Sequence, residues 1–129
     1  MYMAQLKSLT IEGNPMTDFV VEQGTSGNWT YRKWASGISE CWGTFNINVL
    51  FKNESGSSYF TDDLSVSVPS GLFIENGVVN MNCHDYWSWI GRVYMQISTE
   101  SVNFRLARGS NYTTAFDTRV DISVKGKWK

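Results

Sequence analysis

Residues 29–43 read Trp-Thr-Tyr-Arg-Lys-Trp-Ala-Ser-Gly-Ile-Ser-Glu-Cys-Trp-Gly and hold three of the six tryptophans in this chain of 129 residues. At their centre, Ser36-Gly37 is a two-residue turn signal between two aromatic-rich runs, which is the pattern of a β-hairpin. With these two residues as the loop, Tyr31 faces Trp42 across the strands. Cross-strand aromatic pairs stabilise an antiparallel ladder by about 0.2–1 kcal/mol. The stretch therefore predicts a hairpin in a β-rich fold.

The same register assigns the hairpin side chains to two faces. Lys33 falls opposite Glu40, an attractive charge pair, and the alternation continues as a half-buried strand over residues 44–51. Because successive strand residues point to opposite faces, parity predicts one set of core-facing side chains: Trp34, Cys41, Phe45, Ile47 and Val49. It predicts a second set on the opposite face: Tyr31, Lys33, Glu40 and Trp42.

Short alternating runs separated by turn signals fill the rest of the chain. They predict a strand at 64–68, a hairpin around Glu75-Asn76-Gly77, paired strands at 93–97 and 102–106, a polar loop at 108–116 and a last strand at 120–124. Such spacing indicates an all-β fold, an antiparallel β-sandwich with a jelly-roll-like arrangement. We expect residues 1–24 to form a lead-in segment with short strands, and residues 25–129 to form the sandwich.

Composition narrows the classes of partner. A formal net charge of −1 gives no basis for a nucleic-acid partner. The sequence has no run of about 18 apolar residues, so no membrane insertion is expected. Aromatic residues make up 15% of the chain, a high share that calls for an explanation beyond one small core.

The hairpin stretch also carries a family resemblance. The pattern Tyr31-Arg-Lys-Trp-x-Ser-Gly-x-x-Glu-Cys-Trp-Gly43 resembles a motif of tail proteins from tailed bacteriophages and related prophages of Gram-positive bacteria, where it begins a C-terminal β-domain. Residues 18–24 and the closing residues 126–129 resemble the lead-in and the end of such domains. The match is close over residues 18–43 and loose from 44 to 125.

That resemblance implies a place in a virion rather than a reaction. It implies a phage tail protein, assembled in the bacterial cytoplasm, whose partners are other phage tail proteins. Fibre tips of this kind are commonly threefold, so a homotrimer is expected, and Tyr31 and Trp42 are the candidate oligomer interface because monomers rarely expose large apolar patches.

The two cysteines, Cys41 and Cys83, are too few for a tetrahedral zinc site, and the single histidine does not complete one. They could form one disulfide, or remain two buried thiols. The thiol interpretation is favoured because phage proteins assemble in a reducing cytosol. No metal site and no cofactor are expected.

No catalytic residue is predicted. His84-Asp85 could pair as a base and its orienting group, but no Gly-x-Ser-x-Gly elbow supplies a nucleophile. Asp62-Asp63 would point to opposite faces of a strand, and Lys33 accounts for Glu40, so no carboxylate pair suits glycoside hydrolysis.

The remaining aromatics suggest a binding surface. Two loops, 84–89 and 108–114, contain side chains that suit polyhydroxylated ligands, and these are the candidate ligand-binding residues: Asp85, Tyr86, Trp87, Arg108, Asn111 and Tyr112. The competing interpretation is that Trp87 and Trp89 plug the end of the sandwich or a seam between subunits.

Two functions follow from these patterns. The first is a non-enzymatic virion structural and adhesion module, the distal domain of a tail fibre or baseplate protein, which contacts a glycan on the host cell surface. The alternative is a carbohydrate-binding module of a secreted or cell-wall enzyme.

Overall fold

The computed structural model describes residues 10–11, 14–15 and 18–129, and the side chains of residues 18–111 and 113–129. The described residues form β-strands and one short 3-10 turn, η1 (Ile97–Thr99). The strands are β1 (Thr10–Ile11), β2 (Asn14–Pro15), β3 (Val20–Ser26), β4 (Trp29–Trp34), β5 (Ile38–Phe51), β6 (Asn53–Ser55), β7 (Ser58–Phe60), β8 (Leu64–Ser67), β9 (Val78–Cys83), β10 (Ser88–Gln96), β11 (Ser101–Arg108) and β12 (Tyr112–Lys127). The all-β prediction is confirmed.

Two antiparallel sheets of five strands each make a sandwich. The first sheet has the order β3-β4-β5-β12-β9. The second sheet has the order β10-β11-β7-β6, and β8 also pairs with β11. Strands β1 and β2 pair with each other apart from the two sheets, so the expected lead-in segment has short strands where it is described, and the rest of residues 1–17 lies outside the described residues. Strand β3 belongs to the first sheet, so the predicted boundary after residue 24 falls inside a strand.

The core lies between the sheets and is built by alternation in both. The first sheet contributes Phe51 and Ile122, and the second contributes Phe104 and Leu106, all almost fully buried. Trp29 links the two layers, since its indole N–H donates a 2.6 Å hydrogen bond to the carbonyl of Ser67. Each such side chain gains roughly 1.5–3 kcal/mol from burial, which is why the alternating runs determine the fold.

The predicted hairpin forms, but its register is wrong by one residue. Lys33 pairs with Ser39, Arg32 with Glu40 and Tyr31 with Cys41, and the loop therefore has three residues. The amide of Gly37 donates to the carbonyl of Trp34, and Gly37 has a φ of 100°. A three-residue loop that ends in a glycine of positive φ is a common hairpin solution, and it competes with the two-residue loop that the sequence suggested.

A one-residue shift moves every side chain of one strand to the other face. Tyr31 packs against the core rather than beside Trp42, and Lys33 shares its side. Trp34 lies on the outer face, where its indole N–H donates to Glu40. The assignments of Cys41, Phe45, Ile47, Val49, Glu40 and Trp42 are confirmed, and those of Tyr31, Lys33 and Trp34 are wrong.

Two other local predictions are also wrong. No hairpin forms at residues 75–77, because the segment between β8 and β9 makes other contacts. Leu72 and Phe73 are buried in the core, and the Asn76 side chain accepts a hydrogen bond from the amide of Ile97. The polar loop at 108–116 shortens to residues 109–111, since β12 begins at Tyr112 and pairs along β5 with a bulge before Phe116.

Both cysteines are free thiols, as favoured from the sequence, but only Cys41 is fully buried, and Cys83 is partly buried. Cys41 pairs with Val124 and Cys83 pairs with Val120, so β12 separates them. Two strand spacings amount to about 9–10 Å, too far for a disulfide. Burial raises the pKa of the Cys41 thiol to about 12.

Candidate functional site

The turn between β9 and β10 is held by the side chain of Asp85. One carboxylate oxygen accepts the amide of Trp87 at 3.2 Å, and the other accepts the hydroxyl of Ser88 at 2.5 Å. Aspartate favours turns because its short side chain can accept main-chain N–H groups two or three residues on. Both carboxylate oxygens of Asp85 are thus hydrogen-bonded within the turn, which they stabilise.

This fixed turn and the start of β10 present three aromatic side chains to the surface, and we call residues 85–89 the tip. Tyr86 is 87% exposed, Trp87 is 69% exposed and Trp89 is 47% exposed. The rings of Tyr86 and Trp87 meet edge to face, with centroids 5.0 Å apart. Within this chain, therefore, Trp87 does not plug the end of the sandwich.

The second predicted loop lies beside the tip, because Ser88 pairs with Arg108. Asn111 is exposed there. Arg108 is buried, and its guanidinium lies 5.3 Å from the Phe51 ring centre, so this side chain belongs to the packing of the core. Tyr112 opens β12 opposite Phe51, and its side chain is outside the described part. Of the predicted ligand-binding residues, the structure thus places Asp85, Tyr86, Trp87 and Asn111 in two neighbouring loops. Arg108 is buried and is no longer a candidate.

A second feature, which the sequence did not reveal, lies on the outer face of the first sheet. It is a groove of about 360 Å³ that crosses β5, β12 and β9. We call it the groove, and its lining is Trp42, Gly43, Thr44, Asn80, Met81, Asn82, Asp121, Ile122 and Ser123.

The strand register explains why the surface is concave at this point. Ser123 lies between Trp42 of β5 and Asn80 of β9, so a small side chain is flanked by two larger ones. In the next outward row Asp121 lies between Thr44 and Asn82, three side chains of similar size. The floor of the groove is therefore Ser123, with Trp42 and Asn80 as its walls and the Asp121 row at one end.

Asp121 is the most strongly tied polar group of the groove. Its carboxylate accepts the Thr44 hydroxyl at 2.6 Å and lies 2.7 Å from the Nε2 of His84. The Thr44 hydrogen bond and, after it, that of His84 lower the pKa of Asp121. His84 is thus engaged with Asp121 and not with Asp85. The groove presents an ionised carboxylate of fixed position.

A smaller hollow of about 270 Å³ lies on the outer face of the second sheet. It is lined by Ser55, Phe60, Gly91, Arg92 and Arg105. Beside it, Asp63 accepts hydrogen bonds from Arg105 at 2.6 Å and from Arg92 at 2.9 Å, and the Arg105 bond is the largest cause of its lowered pKa. These arginines are neutralised in part by one shared carboxylate.

Asp62, Asp63 and Glu40, the carboxylates that a glycoside hydrolase would need as a pair, each bind different partners. Asp62 pairs with Lys52 and accepts the Asn53 amide, whose hydrogen bond is the largest cause of its lowered pKa. A general acid needs a raised pKa, and the pKa values of both Asp62 and Asp63 are lowered. Glu40 pairs with Arg32 rather than with Lys33, whose partner is Glu22.

Among the described residues, no group of three or more His, Cys, Asp or Glu side chains is arranged to hold a metal ion. The same part of the chain contains no helix long and apolar enough to span a membrane. No protein-family model, curated protein or solved structure matches this chain.

Proposed function

We propose that this chain is a non-enzymatic adhesion module of a phage tail, the distal domain of a tail fibre or baseplate protein, which binds a glycan on the host cell surface. The observation that carries the proposal is the tip: Tyr86 and Trp87 are exposed on a turn whose geometry Asp85 holds, and Trp89 is exposed beside them at the start of β10. Flat aromatic faces with nearby hydrogen-bonding groups suit sugar rings. The virion setting rests on the motif at residues 31–43.

The tip is a candidate ligand site because its exposed apolar side chains lie close together. Monomeric proteins rarely expose contiguous apolar patches, and those they do expose are often binding sites. Among the described residues, Tyr86 is the most exposed large hydrophobic side chain, and Trp87 is as exposed as Val78, the next most exposed. They also lie on a turn of a rigid β-scaffold, which is the usual location for recognition.

Adsorption of the protein to isolated host cell walls tests the proposal. Tyr86→Ala and Trp87→Ala should each weaken adsorption several-fold, and the double variant should abolish it, because the stacking surface is removed. Stability should change by no more than about 0.5 kcal/mol, since exposed positions tolerate truncation. Tyr94→Ala is the matched control, because Tyr94 is also an exposed aromatic but lies on β10 away from the turn. Undiminished adsorption by the folded double variant would contradict the proposal.

A homotrimer is part of the same proposal and rests on the resemblance. The interface suggested from Tyr31 and Trp42 as one patch is not supported, because the observed register separates them onto opposite faces. The expected mass by light scattering is three times the 14.7 kDa of one chain. Several copies would raise avidity for a glycan without new contacts, and a monomer at micromolar concentration would count against this part.

The carbohydrate-binding module of a secreted or cell-wall enzyme remains the second candidate. The groove favours it independently of the motif, because an aromatic wall beside polar side chains on a sheet face suits a polysaccharide. Gene neighbourhood separates the two candidates. Tape-measure, holin and lysin genes beside this one would support the tail module, and fusion to a catalytic domain would support the enzyme module.

A further inference from the structure

We infer that the groove is a second saccharide site, distinct from the tip, which takes one uncharged pyranose residue. That its ligand is a sugar rests in part on the proposed function. The inference goes further in naming a second location and the charge class of the ligand. Four properties of the groove support it: its size, the chemistry of its walls, its charge and the prior positioning of part of its lining.

The size of the groove suits a single ring. Small-molecule sites in proteins have volumes of about 300–1,000 Å³, and the groove, at about 360 Å³, lies at the lower end of that range. Its floor is Ser123, which is flanked on the neighbouring strands by Trp42 and Asn80. A ring could therefore lie over the serine, between an indole and an amide.

The chemistry of the walls matches a polyhydroxylated ring. Asn80 and Asn82 offer both donors and acceptors, Asp121 offers acceptors only, and Thr44 and Ser123 carry hydroxyls. Sugar hydroxyls donate and accept, so this mixture can satisfy several of them at once. Trp42 adds an apolar surface for the C–H face of the ring.

The charge of the lining argues for a neutral ligand. Asp121 is the charged residue among those that line the groove, and no lysine or arginine lines it. Arg32, whose guanidinium lies against the Trp42 ring, pairs with Glu40. A phosphate or carboxylate of an anionic polymer would meet a carboxylate with a lowered pKa, which disfavours it. The arginine-lined hollow on the second sheet shows the contrasting arrangement on this same molecule.

Part of the groove is already positioned. Thr44 and His84 fix the carboxylate of Asp121, and the guanidinium of Arg32 lies 5.1 Å from the centre of the Trp42 ring. All the lining residues belong to three hydrogen-bonded strands. A ligand would still have to order the exposed side chain of Asn80, but not those of Asp121 and Trp42, and a lower ordering cost favours affinity.

An NMR titration of the isotope-labelled full chain tests the inference. The probes are methyl pyranosides of glucose, galactose, N-acetylglucosamine and N-acetylgalactosamine, each taken to 100 mM. We expect at least one probe to shift the Trp42 indole N–H and the Asn80 and Asn82 amide signals, with a dissociation constant in the millimolar range. Glucuronic acid and glycerol phosphate should bind at least tenfold more weakly.

Ser123→Tyr is the decisive variant, because it fills an exposed floor position without touching the core. It should weaken binding at the groove at least tenfold. Ser65→Tyr is its matched control, since Ser65 is an exposed strand serine on the second sheet, and it should bind like the wild type. Equal binding by Ser123→Tyr and the wild type would overturn the inference.

The same spectra keep the two proposals apart. Shifts at Trp42 that persist in Trp87→Ala support the groove as a separate site. Shifts at Trp87 alone would overturn the groove and leave the proposed function standing. Shifts at Trp42 alone would support the groove and count against the tip. No shift at Trp42 with any neutral probe at 100 mM overturns the inference, as does a preference for the anionic probes.

Discussion

The tip and the groove hold tryptophans in opposite surroundings. Trp87 lies on a convex turn and is 69% exposed, whereas Trp42 forms one wall of a concave surface that crosses three strands. The tip depends on the local hydrogen bonds of one aspartate. The groove depends on the register of β5, β12 and β9.

The difference teaches how each surface can change. A turn can be substituted with little effect on the fold because few other residues rest on it. A surface made by register cannot move without the strands that form it. If both bind glycan, we expect specificity to vary readily at the tip and to be conserved by the fold at the groove.

Substitution of a glycine in each region should give the largest contrast in stability. Gly43 lines the groove with its main chain, and a Cβ added there would point to the core side, 2.4 Å from the main-chain oxygen of Asn28 and 3.1 Å from the ring of Phe45. Main chain must then shift, and such overpacking costs about 1–3 kcal/mol. We expect Gly43→Ala to lower the free energy of unfolding by that amount in urea titrations.

Gly109 provides the control beside the tip. A Cβ there has no atom within 4 Å, so Gly109→Ala should change stability by no more than about 0.5 kcal/mol. Equal stability of the two variants would show that the β3–β4 turn yields easily and that the strand under the groove tolerates a side chain as well as the loop beside the tip does.

Much of the fold follows from local sequence patterns, and so does the tip, one of the two candidate surfaces. Alternation identified the core positions Cys41, Phe45, Ile47 and Val49, and turn signals located the hairpin at Ser36-Gly37. Exposed aromatics at Tyr86 and Trp87 were also recognised, because the polar residues around them indicate a loop.

The hairpin register, the position of Arg108 and the groove were not predicted correctly, because the last two depend on contacts between residues distant in sequence and the first on the conformation of one glycine. Two- and three-residue loops fit the same hairpin letters, and Gly37 with its positive φ decided between them. Arg108 resembles a surface cation until Phe51, 57 positions earlier, is placed beneath it. The groove joins residues near 42, 80 and 121, and no local pattern shows that a serine at 123 has larger neighbours on both sides. The available signal was the outward-facing polar residues Asn80 and Asn82 on β9 and Thr44 on β5.

The smallest expected effect is the loss of stability at acidic pH, to which Asp121 in the groove and Asp63 beside the hollow on the second sheet both contribute. Hydrogen bonds from Thr44 and His84 lower the pKa of Asp121 below 3.8, and those from Arg105 and Arg92 do the same for Asp63. A folded-state pKa below the unfolded one means that the unfolded chain binds more protons. Each carboxylate therefore contributes stability that is complete above about pH 4 and is lost as the pH falls through the folded-state pKa.

Urea midpoints measured between pH 6 and pH 2.5 test that coupling. Wild-type stability should fall below about pH 4, and Asp121→Asn and Asp63→Asn should each fall less steeply over that range. Because the two carboxylates lie on opposite outer faces of the sandwich and share no partner, their effects should add in the double variant. A slope in Asp121→Asn equal to that of the wild type would mean that Thr44 and His84 do not hold this carboxylate ionised. The groove would then lack the fixed anion that sets it apart from the tip, where Asp85 is occupied by its own turn.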